Sequence, residues 1–149
     1  VATLANGGTK YRAHFVKSIK SFDYSETYYE AEPVVLSKVT ASQESMMAAK
    51  RGMVSMANTL LAFQELDYSV ASKTGTAQAK KKVGDVYVSY TNGFMISFAP
   101  ADNPQIAVVI AVENVKSAGL PNYAKEVYDA YFSRNSDITN SQQSGNILN

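Results

Sequence analysis

Residues 68–112 read YSVASKTGTAQAKKKVGDVYVSYTNGFMISFAPADNPQIAVVIAV, and this stretch decides the fold. Tyr68 to Gln78 has the character of a strand, and Lys80 to Asp85 reads as a basic, glycine-containing turn. Val86 to Phe98 is a second strand. Val86, Val88 and Tyr90 share one side; Phe94, Ile96 and Phe98 follow after an expected irregularity at Asn92-Gly93. After the turn APADNPQ, Ile106 to Val112 is a continuous apolar run, as expected of a central strand covered on both faces. Short connections between three strands predict an antiparallel meander.

Working outward, Pro121 suits the first turn of a closing helix. Ala124, Val127, Tyr128 and Tyr131 give that helix an apolar stripe able to lie on the sheet. The fold class is therefore α+β, an antiparallel sheet flanked by helices. From Arg134 onward the chain is Ser, Asn, Gln and Gly, with Ile138, Ile147 and Leu148 as its only large apolar residues. The expected organisation is one domain over residues 1–133 and a disordered polar tail over 134–149.

On the other side, Thr40-Ala41-Ser42-Gln43 reads as a capping box opening a helix. Met46, Ala49, Met53, Met56, Ala57 and Leu60 follow at helical spacing and read as core filler. Gly52 within that helix suggests close packing against another element. Val34 to Val39 is a short β-prone run, Tyr11 to Phe22 is loosely extended, and the tyrosine-rich segment up to Pro33 reads as an excursion. Val1 to Ala5 resemble the last turns of a helix capped by Asn6-Gly7-Gly8, which suggests a chain cut from something longer.

Composition removes several function classes. The chain has 149 residues, 46% hydrophobic and 18% charged, which suits an ordinary globular domain. A formal net charge of +1 makes no electrostatic case for nucleic acid, and Lys80-Lys81-Lys82 reads as a solvated run. Without cysteine there are no disulfides or thiolate chemistry. No apolar run approaches the length of a membrane span. His14 is the sole histidine and reads as a surface residue, not a metal site. Asp23, Glu26, Glu30 and Glu32 lack the spacing of a calcium loop.

The chemistry sits in Lys73-Thr74-Gly75-Thr76. On a strand, Thr74 and Thr76 share one face, and Lys73 and Gly75 the other. Paired hydroxyls can hydrogen-bond a carboxylate, and a lysine adds positive charge. A glycine lets a ligand backbone approach as an added strand. An unpaired edge N–H can stabilise an oxyanion. These parts suit recognition of an extended peptide ending in a carboxylate, with acyl transfer at its carbonyl. Alone, the four residues are a weak signal and favour a plain surface strand. The order Lys-Thr-Gly excludes a P-loop.

"VASKTGTAQ" followed by "TNGFMISFAPADNPQIAVVIAVEN" resembles the C-terminal part of a class B penicillin-binding protein transpeptidase domain. "LANGGTKYRAHFVKSI" and "NYAKEVYDAYF" resemble the flanking segments of that family, so the likeness runs in order over residues 1–133. It implies part of a β-lactamase/transpeptidase-like fold, contributing the last three strands of a five-stranded sheet. It also implies a peptidoglycan D,D-transpeptidase that forms an acyl-enzyme on a D-Ala-D-Ala stem peptide and is trapped by β-lactams. By motif, Lys73 assists proton transfer. Thr74 and Thr76 hold the substrate carboxylate, and Gly75 leaves room for the substrate. The Thr76 N–H enters the oxyanion hole, and Ala77 and Gln78 line the continuing edge.

The family also uses Ser-x-x-Lys and Ser-x-Asn. The first occurs nowhere in the chain. The second occurs at Ser133-Arg134-Asn135 and Ser144-Gly145-Asn146, after Lys-Thr-Gly instead of before it, and both read as chance matches. The resemblance thus implies a partner upstream half, no acyl transfer by this chain alone, and, for an uncovered fragment, self-association, a partner chain or marginal stability. It places the parent, anchored in the membrane, on the extracytoplasmic face. A β-lactamase or sensor domain and a non-catalytic peptide-binding module are the competing readings.

Overall fold

The computed structural model describes the backbone of residues 1–144 and the side chains of residues 1–134. It opens with α1 (Ala2–Ala5), followed by β1 (Thr9–Tyr11), β2 (Ser18–Lys20), β3 (Thr27–Glu30) and β4 (Val35–Lys38). Next come α2 (Gln43–Ala57) and α3 (Leu61–Gln64). The sheet strands are β5 (Ala71–Val83), β6 (Val86–Ala99) and β7 (Ile106–Val112). A 3₁₀ turn at Ser117–Gly119 leads into α4 (Leu120–Ser144).

The tyrosine-rich excursion is a hairpin, β2 with β3, beside a second antiparallel pair, β1 with β4. At the start of the chain, Asn6 does cap α1, and Gly7 and Gly8 take φ of +82° and +109°. The Asn6 side chain accepts from the Gly8 and Thr9 amides. The cap of α2 falls two residues later than the sequence suggested. Ser42 accepts from the Ser45 amide at 3.2 Å, so Thr40 lies outside the helix. Met53 and Ala57 are buried as expected, but Gly52 faces open space: a methyl group there would meet nothing within 4 Å.

The meander is present as an antiparallel sheet in the order β5-β6-β7. Three details differ from expectation. Pairing runs unbroken through Ala77↔Asn92 and Thr76↔Gly93, so no bulge interrupts β6. Lys80 to Lys82 belong to β5, because the turn shrinks to Gly84-Asp85, and Gly84 takes the left-handed φ of +62° that a two-residue connection needs. Strand β6, not β7, is central. The apolar run of β7 alternates, with Val108 buried, Ile106, Ile110 and Val112 half-buried, and Val109 63% exposed.

Helix α4 lies across one sheet face. Leu120, Ala124 and Tyr128 pack with Met95, Ala99 and Val108, joined by Ala57, Phe63 and Val70. Burying each large side chain there contributes about 1.5–3 kcal/mol. Tyr128 donates to the buried Ser97 hydroxyl at 2.6 Å, which gives each of these two hydroxyls a partner. Burial outweighs that bond and pushes the Tyr128 hydroxyl up to about 12. On the opposite face, Met53 packs with Ala71, Phe98 and Ala101, while α1 covers the flank. That second cluster covers only one end of its face.

The backbone from Arg134 to Ser144, the first part of the tail expected to be disordered, is described as a continuation of α4. A helix anchored through Tyr128 extends without a second nucleation cost, even through polar residues. Residues 145–149 of the expected tail lie outside the described residues.

Candidate active site

Directly paired residues on neighbouring strands point to the same face. The register therefore sorts the Lys-Thr-Gly-Thr run. Thr74 and Thr76 lie opposite Met95 and Gly93, on the face that α4 covers. Lys73 and Gly75 lie opposite Ile96 and Phe94, on the more open face. The split expected from the two-residue period is present, and β5 has one edge that no described strand occupies.

Lys73 is exposed, and its ammonium donates to the Thr74 carbonyl at 2.6 Å. Thr74 is half-buried and Gly75 exposed. A methyl group on Gly75 would come only to 3.9 Å from Phe94 Cβ, so packing within this chain does not demand glycine there. Ala77 pairs with Asn92 and Gln78 with Thr91. Beyond Thr76, Gln78, Lys80, Thr91 and Asn114 border a cleft of about 700 Å³.

One neighbour was not legible in the sequence. The Thr76 hydroxyl lies 2.9 Å from the Ser117 hydroxyl, and the Ser117 amide donates to Thr76 Oγ1 at 3.4 Å. The two residues are 41 positions apart, and no motif links them. Gly93 makes the contact feasible. It is buried opposite Thr76, and a Cβ there would stand 3.0 Å from the Val115 carbonyl oxygen and 3.2 Å from the Ser117 nitrogen. The loop is also tied at Asn114, whose amide donates to Asn92 Oδ1 at 3.2 Å and whose φ is +59°. The "TNG" step, read as an irregularity, is a landing place for this loop.

His14 and the acidic excursion stay apart from this strand. His14 is exposed, and Asp23 is held well below its usual range, to about 2, by the Ser21 hydroxyl and then by the Ser25 hydroxyl and amide. Among the described residues no cluster of His, Asp and Glu forms a metal site. Ser133 lies on α4, far along the chain from Lys73.

An antiparallel sheet backed by a C-terminal helix is the arrangement of the penicillin-binding protein transpeptidase class of folds, and the edge strand here carries Lys-Thr-Gly. The family model of the penicillin binding protein transpeptidase domain matches residues 1–133, and the chain belongs to that family. Penicillin-binding protein 2A of Bacillus subtilis is 30% identical over 89% of this chain and 21% of its own length. The Haemophilus influenzae peptidoglycan D,D-transpeptidase MrdA is 29% identical over 88% of this chain and 22% of its own length. A solved structure of penicillin-binding protein A from M. tuberculosis, an imipenem acyl-enzyme complex, superposes with a TM-score of 0.69 at 26% identity. That match covers 88% of this chain and 28% of the other. The chain thus spans about a fifth of the length of the curated relatives it matches. No helix among the described residues is long and apolar enough to cross a membrane.

Proposed function

We propose that this chain supplies the substrate-carboxylate and oxyanion strand of a peptidoglycan D,D-transpeptidase. The single observation behind this reading is Lys73-Thr74-Gly75-Thr76 on the unoccupied edge of β5. An extended stem peptide adds beside that edge as a further strand. Its terminal carboxylate accepts from the Thr74 and Thr76 hydroxyls, with Lys73 nearby as the positive charge. The Thr76 amide donates to the oxygen of the carbonyl under attack. Gly75 keeps the approach clear, and Ala77 and Gln78 extend the edge.

The nucleophile comes from an upstream half carrying Ser-x-x-Lys, since no such motif occurs in these residues. The serine oxygen forms an ester with the penultimate D-Ala carbonyl, and the C–N bond to the terminal D-Ala breaks as its nitrogen gains a proton. An amine from a neighbouring stem then displaces the serine and forms the cross-link. β-Lactams enter the same site and stop at the ester. The uncovered face with Phe94 at 42%, Ile96 at 36% and Val109 at 63% exposure supports a missing cover. In this reading the upstream half covers it, and the isolated chain self-associates. The assembled enzyme works on the extracytoplasmic face of the membrane, anchored by a segment upstream.

Intact-mass spectrometry after exposure to a penicillin tests this. A penicilloyl adduct is expected on a protein that includes the upstream half and not on Val1–Asn149 alone. An adduct on the short chain overturns the split-site reading. No adduct on either protein favours a peptide-binding module without chemistry.

A further inference from the structure

We infer that Ser117 is a positioning residue for the Thr76 hydroxyl, and that the Thr76–Ser117 pair works as one carboxylate-recognition unit. This rests on the transpeptidase reading above and adds to it a residue outside the Lys-Thr-Gly motif.

The hydrogen bookkeeping leads there. Thr76 Oγ1 already accepts from the Ser117 amide. Its 2.9 Å contact with Ser117 Oγ can run in either direction. If Ser117 donates, the Thr76 proton is left to point outward; if Thr76 donates, the Ser117 proton is left. Either way the pair keeps one hydroxyl proton for an outside acceptor. A carboxylate can only accept, so it selects the arrangement with a proton facing it, and a charge-assisted bond results.

Ser117 also restrains where that proton is. An isolated threonine on an exposed edge chooses among staggered rotamers. Two bonds from one residue hold Thr76 Oγ1 toward the 3₁₀ turn. Ser117 is itself held, because it is half-buried and its loop rests on Gly93 and Asn92. The orientation of Thr76 is therefore passed through the loop from β6, the strand that also sets the register of β5.

The test uses the full-length protein and two ligands, benzylpenicillin and its methyl ester, which lacks the negative charge. The readout is the ratio of their second-order acylation rate constants. Ser117→Ala is expected to lower the penicillin rate about tenfold, as for the loss of support to one charged hydrogen bond, and to leave the ester rate near its original value. The ester rate then reports that the site is still assembled. Ser117→Thr, which keeps the hydroxyl, is expected to preserve the ratio. Ser117→Cys, with a similar volume and a weak donor, is expected to lower it. Equal losses on both ligands would mean a structural role only and overturn the inference, as would an unchanged ratio in Ser117→Ala. In either case acylation of the unsubstituted protein would leave the transpeptidase reading standing. If the unsubstituted protein reacts with neither ligand, that reading falls and the role of Ser117 falls with it.

Discussion

The two faces of the sheet are made of similar residues and meet different surroundings. On one, Met95, Ser97 and Val108 are buried beneath α4. On the other, Phe94, Ile96 and Val109 alternate with them along the same strands and stay open. Strand periodicity distributes apolar side chains to both faces, but only a covering element turns them into core. The edge strand straddles this division, with Thr74 and Thr76 on the covered side and Lys73 and Gly75 on the open side.

The comparison breaks most readily at paired positions. In Val1–Asn149 alone, Met95→Ala is expected to cost about 2–5 kcal/mol, through lost burial and the cavity left behind. Ile96→Ala, one residue along on the open face, should cost about 0.5 kcal/mol or less, as for a surface change. Urea denaturation measures both. If an upstream half covers the open face, the Ile96→Ala cost in the full-length protein rises toward that of Met95→Ala. Equal costs in the short chain would erase the difference between the faces.

This asymmetry marks where the sequence was legible. Alternation in Val86 to Phe98 and the punctuation around it were enough for three antiparallel strands, and Pro121 marked the closing helix. Which strand is central was not legible, because an apolar run such as Ile106–Val112 looks the same with one face covered or two. The motif residues could be found because they are adjacent in sequence. Ser117 could not, since its tie to Thr76 exists only once β6 and β7 are in register. Gly52 and Gly93 show the same limit. Close packing was expected at the first, which is open, while the second, read as a bulge, is the crowded one.

A smaller effect sharpens the covered face. Tyr128→Phe leaves the buried Ser97 hydroxyl without its donor and should cost about 1–2 kcal/mol. The folded Tyr128 hydroxyl titrates at about 12, above its ordinary 10.0, chiefly because it is buried. Below the lower value both folded and unfolded chains hold the proton. Above it the unfolded chain ionises first, so stability falls as pH rises from about 10 toward 12. Alkaline denaturation curves should show this fall, and Tyr128→Phe should flatten it.

The smallest effect lies where neither face contributes. Asp23 is fully exposed and titrates at about 2 instead of 3.8, held by Ser21 first and then Ser25. Its contribution to the β2–β3 hairpin is present above the ordinary carboxylate value and lost as pH falls through about 2. An NMR titration of the Ser25 amide is expected to report that local loss while the sheet signals hold. Simultaneous movement of the sheet signals would mean that the hairpin is coupled to the core.

The long β5–β6 hairpin has a last consequence, for self-templating. An unpaired strand edge invites a second copy to add to it, and lysines along such an edge act as gatekeepers against that. Because pairing persists to Val83, Lys80, Lys81 and Lys82 stand on the strand itself and alternate between its two faces. A copy laid along that end would set positive charge against any equally basic neighbour. The stretch from Gly75 to Gln78 bears no charge. The same edge is thus guarded at its turn and uncharged from Gly75 to Gln78, which, in the transpeptidase reading proposed above, biases an incoming strand toward the substrate's place.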